Sequence, residues 1–221
     1  MDLEQRLKQE MSFHDWHAVA ETLEQGLAAT ADPASKADLH LRLGRVLRLR
    51  FLQGVRALKH FQDAYKLNPA LIEALSEARG IYWDLGKLNM VQRLLELELK
   101  AAPQGQNKRA LLRELGDVLC DLGDYERAAE SYAKALQAAD GDRGDLPLVL
   151  EDTQVGEGEW QERVAGMLRD ARSASDPAAK AGLPLRAARL ARRYAPGEVE
   201  GLLAQAYAAD PTDAHVAATY E

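Results

Sequence analysis

His14 and His17 flank Asp15-Trp16 at a spacing of three, which on a helix can place two imidazoles on one face, as a metal site needs. No third ligand stands at a recognisable metal spacing, and His14 falls ahead of the helix that Asp15 would cap. The pair reads better as solvent-facing histidines beside a capping aspartate, and no metal is expected. Cys120 is the sole cysteine, so no internal disulfide and no cysteine-based zinc cage can form. It lies in a helical pattern where a small buried residue is needed. No G-x-S-x-G elbow is present, and no phosphate loop follows a strand, because the sequence contains no strand pattern. Carboxylate pairs such as Asp121/Asp124 are common on acidic helical surfaces. These residues give no catalytic constellation and no cofactor site, so an enzyme is not expected.

What remains for recognition is charge. Residues 36–60 carry Lys36, Arg42, Arg45, Arg48, Arg50, Arg56 and Lys59 against Asp38 alone, a net of +6. Residues 180–193 carry Lys180, Arg186, Arg189, Arg192 and Arg193 with no acid, a net of +5. The whole chain is −7, so the remainder is −18. That balance argues against a nucleic-acid binder, whose affinity comes mainly from neutralising phosphates. The two basic stretches either pair with acidic neighbouring helices or receive an acidic partner.

The elements that must position these residues are helices. Ala and Leu together make 73 of 221 residues, whereas Val, Ile and Thr make 17. Ala and Leu lose little entropy in a helix, and β-branched side chains suit pleated surfaces. No window approaches 18 consecutive apolar residues, so no membrane span is expected. The first ten residues contain no apolar core or small-residue cleavage site, which implies a cytoplasmic protein. The pattern predicts helices near 2–12, 14–30, 34–52, 54–67, 70–84, 87–101, 106–122, 124–139, 146–154, 158–173, 177–194, 197–208 and 212–221. Four Asp/Asn-Pro pairs, at 32–33, 68–69, 176–177 and 210–211, read as helix starts: the acid or amide caps, and Pro at the first helical position loses no hydrogen bond. Pro184 either kinks its helix or marks its true start.

An internal repeat organises these helices. Asn68-Pro69 and Ala102-Pro103 lie 34 residues apart, with Gly86 breaking the interval into two halves. The next interval reads Leu115-Gly116-Asp117-Val118-Leu119, Gly123-Asp124-Tyr125, Ala128, Tyr132 and Ala135-Leu136. Gly123 suits the left-handed end of a first helix, and Ala128 lets the two helices of a hairpin cross closely. Tyr132 fills the gap to a neighbouring unit. This segment, 106–139, resembles the tetratricopeptide repeat, departing only where Asp140 replaces the closing proline. Leu43-Gly44, Ala57, Phe61, Ala64 and Asn68-Pro69 make a second such unit. The segment 69–103 is a third, with Glu98 in place of the usual alanine. Trp16, Val19, Leu23 and Gly26 resemble the second helix of a degenerate first unit. A longer echo runs above these, at an offset of 144: Trp16 onto Trp160, Asp32-Pro33 onto Asp176-Pro177, Arg45 onto Arg189 and Arg48 onto Arg192.

The resemblance implies an all-α fold, an α-solenoid of six or seven antiparallel helix hairpins wound as a right-handed superhelix. The sequence divides into a first block of hairpins at 1–140, an irregular connection with a short helix at 141–159, and a second block at 160–221. The second block stops within what reads as the first helix of a further unit, so the chain is expected to be part of a longer protein. The family resemblance further implies a scaffold whose concave groove binds an extended peptide or a partner's helix. With Gly44 and Gly116 as register, that groove would be lined by Arg45, Arg48, Trp83, Arg113 and Asp117, and an acidic segment of a partner would suit it. Some members of that family clamp a terminal carboxylate with Lys and Asn. Here Arg45, Gly80 and Asp117 stand at the Asn position, so that clamp does not carry over. The alternative is a regulatory sensor that binds a peptide or small ligand and changes curvature.

Overall fold

The computed structural model describes residues 2–101, 106–138 and 143–220. Ala102-Pro103, Asp140 and Glu221 lie outside the described residues. Thirteen α-helices and no strand occur among the described residues: α1 (Leu3–Ser12), α2 (Trp16–Ala29), α3 (Pro33–Leu49), α4 (Gly54–Leu67), α5 (Glu73–Asp84), α6 (Leu88–Ala101), α7 (Gln106–Asp121), α8 (Tyr125–Gln137), α9 (Leu146–Gln154), α10 (Trp160–Ser173), α11 (Pro177–Tyr194), α12 (Val199–Ala209) and α13 (Ala214–Tyr220). A single 3-10 turn, Pro196–Glu198, precedes α12. No helix among the described residues is long and apolar enough to cross a membrane.

Aspartates begin many of these helices. Asp2, Asp15, Asp32, Asp124 and Asp176 each accept a hydrogen bond from the backbone N–H three residues on, at 2.8–3.3 Å. Pro33 and Pro177 occupy first helical positions, as their sequence pairs predict. The other two Asp/Asn-Pro pairs do something different. Asn68 accepts from the N–H of Ala70, and Asp210 from that of Thr212, each only two residues ahead. That bond closes a turn instead of a cap, so α5 starts at Glu73, and Asp213 caps α13 through Val216 N–H. Pro184 lies inside α11, which begins at Pro177 and leaves the Lys180 carbonyl without its usual donor. Gly86 and Gly123 turn the chain between paired helices with φ of 62° and 82°, where glycine pays no steric penalty.

The chain forms two compact units, Met1–Ile81 and Tyr82–Glu221. In the second unit the short helix α9 packs on α8. In the first unit α1 packs on α2, α2 on α3, and α3 on α4. Gly44 of α3 is what allows the last pairing: a Cβ there would stand 2.5 Å from Cε1 of Phe61, a fully buried ring of α4. Burying such a ring contributes about 1.5–3 kcal/mol. In the second unit Gly116 of α7 makes the equivalent room for Tyr132 of α8. Around that pair lies a core of Val91, Leu95, Leu112, Leu115, Val118 and Leu119. A further core joins Trp160, Val164 and Met167 of α10 to Leu185, Leu190, Leu202 and Val216 of the last helices. The 144-residue echo survives as structure: Trp16 and Trp160 each open a helix, and Asp32-Pro33 and Asp176-Pro177 each cap and open the next.

Candidate functional site

Each of the five expected groove residues sits on the first helix of a hairpin: Arg45 and Arg48 on α3, Trp83 on α5, and Arg113 and Asp117 on α7. The first two belong to the first unit and the other three to the second. In the first unit a single carboxylate meets both arginines. Glu77 Oε1 accepts from Arg45 Nε at 2.7 Å, and Glu77 Oε2 from Arg48 Nη1 at 3.3 Å. Arg48 also donates to the Glu77 carbonyl at 3.2 Å. It reaches that backbone because Gly80 has no side chain: a Cβ there would lie 2.6 Å from Arg48 Nη2. Arg48 is thus held against α5, while the Arg45 side chain stays 41 % exposed.

In the second unit the expected residues are drawn inward by helices from the far end of the chain. Trp83 is only 7 % exposed. Its Nε1–H donates to the Ala214 carbonyl at the start of α13, at 2.9 Å, and its ring stands edge-on to His215, 4.9 Å between centroids. Asp117 is buried beneath three donors. It accepts from the Tyr132 hydroxyl at 2.7 Å, lies 3.1 Å from Arg189 Nη1 of α11, and meets Arg113 Nε at 3.3 Å. Burial pushes its carboxyl up, but Arg189, Arg113, the Tyr132 bond and His215 outweigh that, and it is held below the ordinary carboxylate range. Arg113 in turn makes a bidentate pair with Asp145, at 2.6 and 2.9 Å. Burial alone would lower its affinity for its proton; Asp117 and Asp145 reverse this and raise it.

The second basic stretch is also spent internally. Arg189 meets Asp117 and Asp121, Arg186 meets Asp152, and Arg192 donates to the Asp121 carbonyl. Its equivalence to the Arg45 stretch was visible in the 144-residue offset, yet nothing local named Asp117, Asp121 or Asp152 as its partners. His215, Asp213 and Asp145 carry no sequence signal of a site either. His14 and His17 stand apart from any ligand cluster. His14 packs edge-on to Trp16 and His17 against Phe51, and no group of three metal-ligating side chains occurs among the described residues. Cys120 is buried at 3.7 Å from the Tyr132 hydroxyl, and burial pushes its thiol up to about 12.

A cleft lies beside this network. It has a volume of about 630 Å³ and lies among α7, α11 and α13. Ala178, Ala179 and Gly182 of α11 make a wall of small residues; Arg113 and Glu114 of α7 and His215 of α13 supply polar groups. The Nδ1 of His215 is buried and meets no hydrogen-bond partner. These small residues, beside Leu183 and Leu185 of the same helix, leave room for a ligand's backbone, and the polar groups opposite can orient it.

No family model matches the chain, and no curated protein resembles it in sequence. Solved structures do resemble it. A tetratricopeptide repeat protein from Parabacteroides merdae superposes with a TM-score of 0.62 at 19 % identity, over 94 % of this chain and 75 % of that one. The C-terminal part of a TPR repeat-containing protein from Cytophaga hutchinsonii gives 0.54 at 11 % identity, covering 99 % and 86 %. YrrB, described as a TPR protein with an unusual peptide-binding site, gives 0.50 at 17 % identity, covering 90 % and 97 %. With the Gly116–Tyr132 and Gly44–Phe61 hairpins already in place, these likenesses show that the chain has the fold of a tetratricopeptide-repeat array.

Proposed function

We propose that this chain is a protein-interaction scaffold, not an enzyme, and that the cleft among α7, α11 and α13 holds an extended segment of a partner protein. The observation that carries the reading is the pairing of a small-residue wall, Ala178, Ala179 and Gly182, with the polar groups of Arg113, Glu114 and His215 across about 630 Å³. A repeat array suits such binding because its stacked helices hold side chains rigidly along an extended surface. YrrB's peptide-binding site gives the reading a precedent in this fold.

Arg113 and Asp117 keep a place in this proposal, though not as free charges. Arg113 is neutralised by Asp145 and Asp117, so it orients a peptide carbonyl better than it recruits an acid. Arg45, whose side chain stays 41 % exposed beside Glu77 in the first unit, takes no part in this cleft. Trp83 acts from behind, seating α13 and with it His215.

Gly182→Trp tests the site. Nothing lies within 4 Å of a Cβ built at Gly182, so the helix accepts the substitution while the indole fills the cleft. Gly201→Trp, equally open and at an exposed position of α12, is the control. Partners captured by the wild-type protein and by Gly201→Trp should be lost from Gly182→Trp. Equal capture by all three places the binding surface elsewhere.

A further inference from the structure

The turns between paired helices are alike in backbone and unlike in residue. Gly86 and Gly123 occupy the left-handed position in two of them; His14 and Leu52 occupy it in the two turns of the first unit, with φ of 58° and 54°. A leucine there is disfavoured by contact of its Cβ with the backbone. Leu52 bears a second burden, because its side chain is 85 % exposed. Its neighbours are no better covered: Val55 is 83 % exposed, Phe13 74 %, and Leu49 also lies open. The two turns that carry these residues touch. The Phe51 ring lies 4.7 Å from His17, and Arg50 stacks on Trp16 at 4.1 Å, which ties the α3–α4 turn to the α1–α2 turn. Exposed apolar side chains, one of them on strained backbone, are disfavoured in the free protein, and such patches mark interaction sites.

The charge around the patch selects the occupant. Arg50 and Lys59 meet no carboxylate among the described residues, unlike Arg42, Arg45, Arg48 and Arg56, which meet Glu4, Glu77, Glu77 and Glu24. Lys59 follows Val55 by four residues on α4 and shares its face. We propose that the Phe13–Leu52–Val55 edge of the first unit is a second docking surface, and that it takes an acidic, apolar-anchored peptide segment of a partner protein. Aliphatic or aromatic anchors of that segment would cover Leu52 and Val55, while its carboxylates pair with Arg50 and Lys59. The surface is independent of the α7–α11 cleft.

The test uses the whole chain and a displayed library of 12-residue peptides built from Leu, Phe, Asp, Glu and Ser. The wild-type protein should enrich peptides that bind Leu52→Asp/Val55→Asp at least tenfold more weakly, and Arg50→Glu more weakly again than neutral-residue variants elsewhere. Leu52→Gly provides a check on folding. It should melt no lower than wild type, because glycine relieves the turn, yet still lose peptide affinity. Peptides that bind all these variants equally, or no enrichment at all, overturn the proposal. Two further outcomes overturn it in favour of another occupant. One is patch-dependent sedimentation with phosphatidylcholine/phosphatidylserine vesicles, and the other is a patch-dependent dimer in analytical ultracentrifugation. Gly182→Trp should leave the selected peptides bound, which separates this surface from the cleft.

Discussion

Arg189 donates two hydrogen bonds to Asp121 across 68 residues of chain, Nε to Oδ1 at 2.9 Å and Nη2 to Oδ2 at 3.0 Å, with both side chains buried. Asp117 approaches the same guanidinium at 3.1 Å, and the Tyr125 hydroxyl donates to the Arg189 carbonyl at 3.0 Å. Two carboxylates on one face of α7 thus share one guanidinium of α11, with Arg113 as a second counter-charge at Asp117, and the helix carrying Arg189 is fixed at the end of the α7–α8 hairpin.

Removing that guanidinium should leave Asp117 and Asp121 buried without their main counter-charge. Arg189→Met is expected to destabilise the protein by about 3–5 kcal/mol, the range for breaking a buried ion pair. Arg189→Lys should also destabilise it, since a lysine cannot make the two-pronged contact. Urea unfolding followed by circular dichroism measures both. Because the site is shielded from solvent, the loss should change little with added salt. A loss under 1 kcal/mol for Arg189→Met would mean that α11 is held by its apolar contacts alone.

Gly44 and Gly116 should each resist the smallest enlargement. A methyl group at Gly44 would meet the Phe61 ring, and one at Gly116 the Tyr132 ring. Alanine is intrinsically the better helix former by about 0.8–1.0 kcal/mol. Gly44→Ala and Gly116→Ala are nevertheless expected to destabilise, by about 1–3 kcal/mol through overpacking. Pairing Gly44→Ala with Phe61→Leu should recover part of the loss relative to the sum of the single variants. Denaturant midpoints for the four proteins decide the matter.

His40 and His60 face each other across the α3–α4 hairpin with Nδ1 atoms 2.9 Å apart, one ring donating and the other accepting. Burial holds both below the usual histidine value of 6.5. The neighbouring Asp63 opposes the shift; Lys36 at His40, and Arg56 and Lys59 at His60, reinforce it. A histidine lowered on folding takes its proton more readily in the unfolded chain. Its contribution is therefore complete above about pH 7 and is lost as pH falls below about 6.5 toward the folded-state values. The melting temperature should drop between pH 7 and pH 5, and the drop should be smaller in His40→Phe. Parallel curves for the two proteins would show that this pair does not sense pH.

Cys120 should be inert in the native protein. It is buried, and burial holds its thiol at about 12, so almost no thiolate exists at neutral pH. Ellman's reagent is expected to react slowly under native conditions and at once in concentrated urea. Immediate reaction without denaturant would mean that the α7–α8 core opens readily.

Much of this organisation is written locally. Gly116 and Tyr132, sixteen residues apart, encode a close helix crossing by a missing side chain and a large ring, and the structure joins them. Asp32-Pro33 and Asp176-Pro177 encode helix starts because cap and first residue are neighbours in the chain. Asn68-Pro69 and Asp210-Pro211 look the same in sequence, but their side chains close two-residue turns, and the choice between cap and turn depends on backbone angles that composition does not report.

The sequence by itself therefore determined the helices, their repeat and the hairpins of α3 with α4 and α7 with α8, since these rest on spacing and on contacts within one repeat. Tertiary structure alone decided what the arginines do. Arg45 and Arg189 occupy equivalent places 144 residues apart, yet Arg45 stays half exposed beside Glu77 while Arg189 is buried between Asp117 and Asp121. A charge finds its partner through the stacking of one hairpin on another. That stacking brings together residues 32 and 68 positions apart in these two cases, a relationship that no local pattern of side chains encodes.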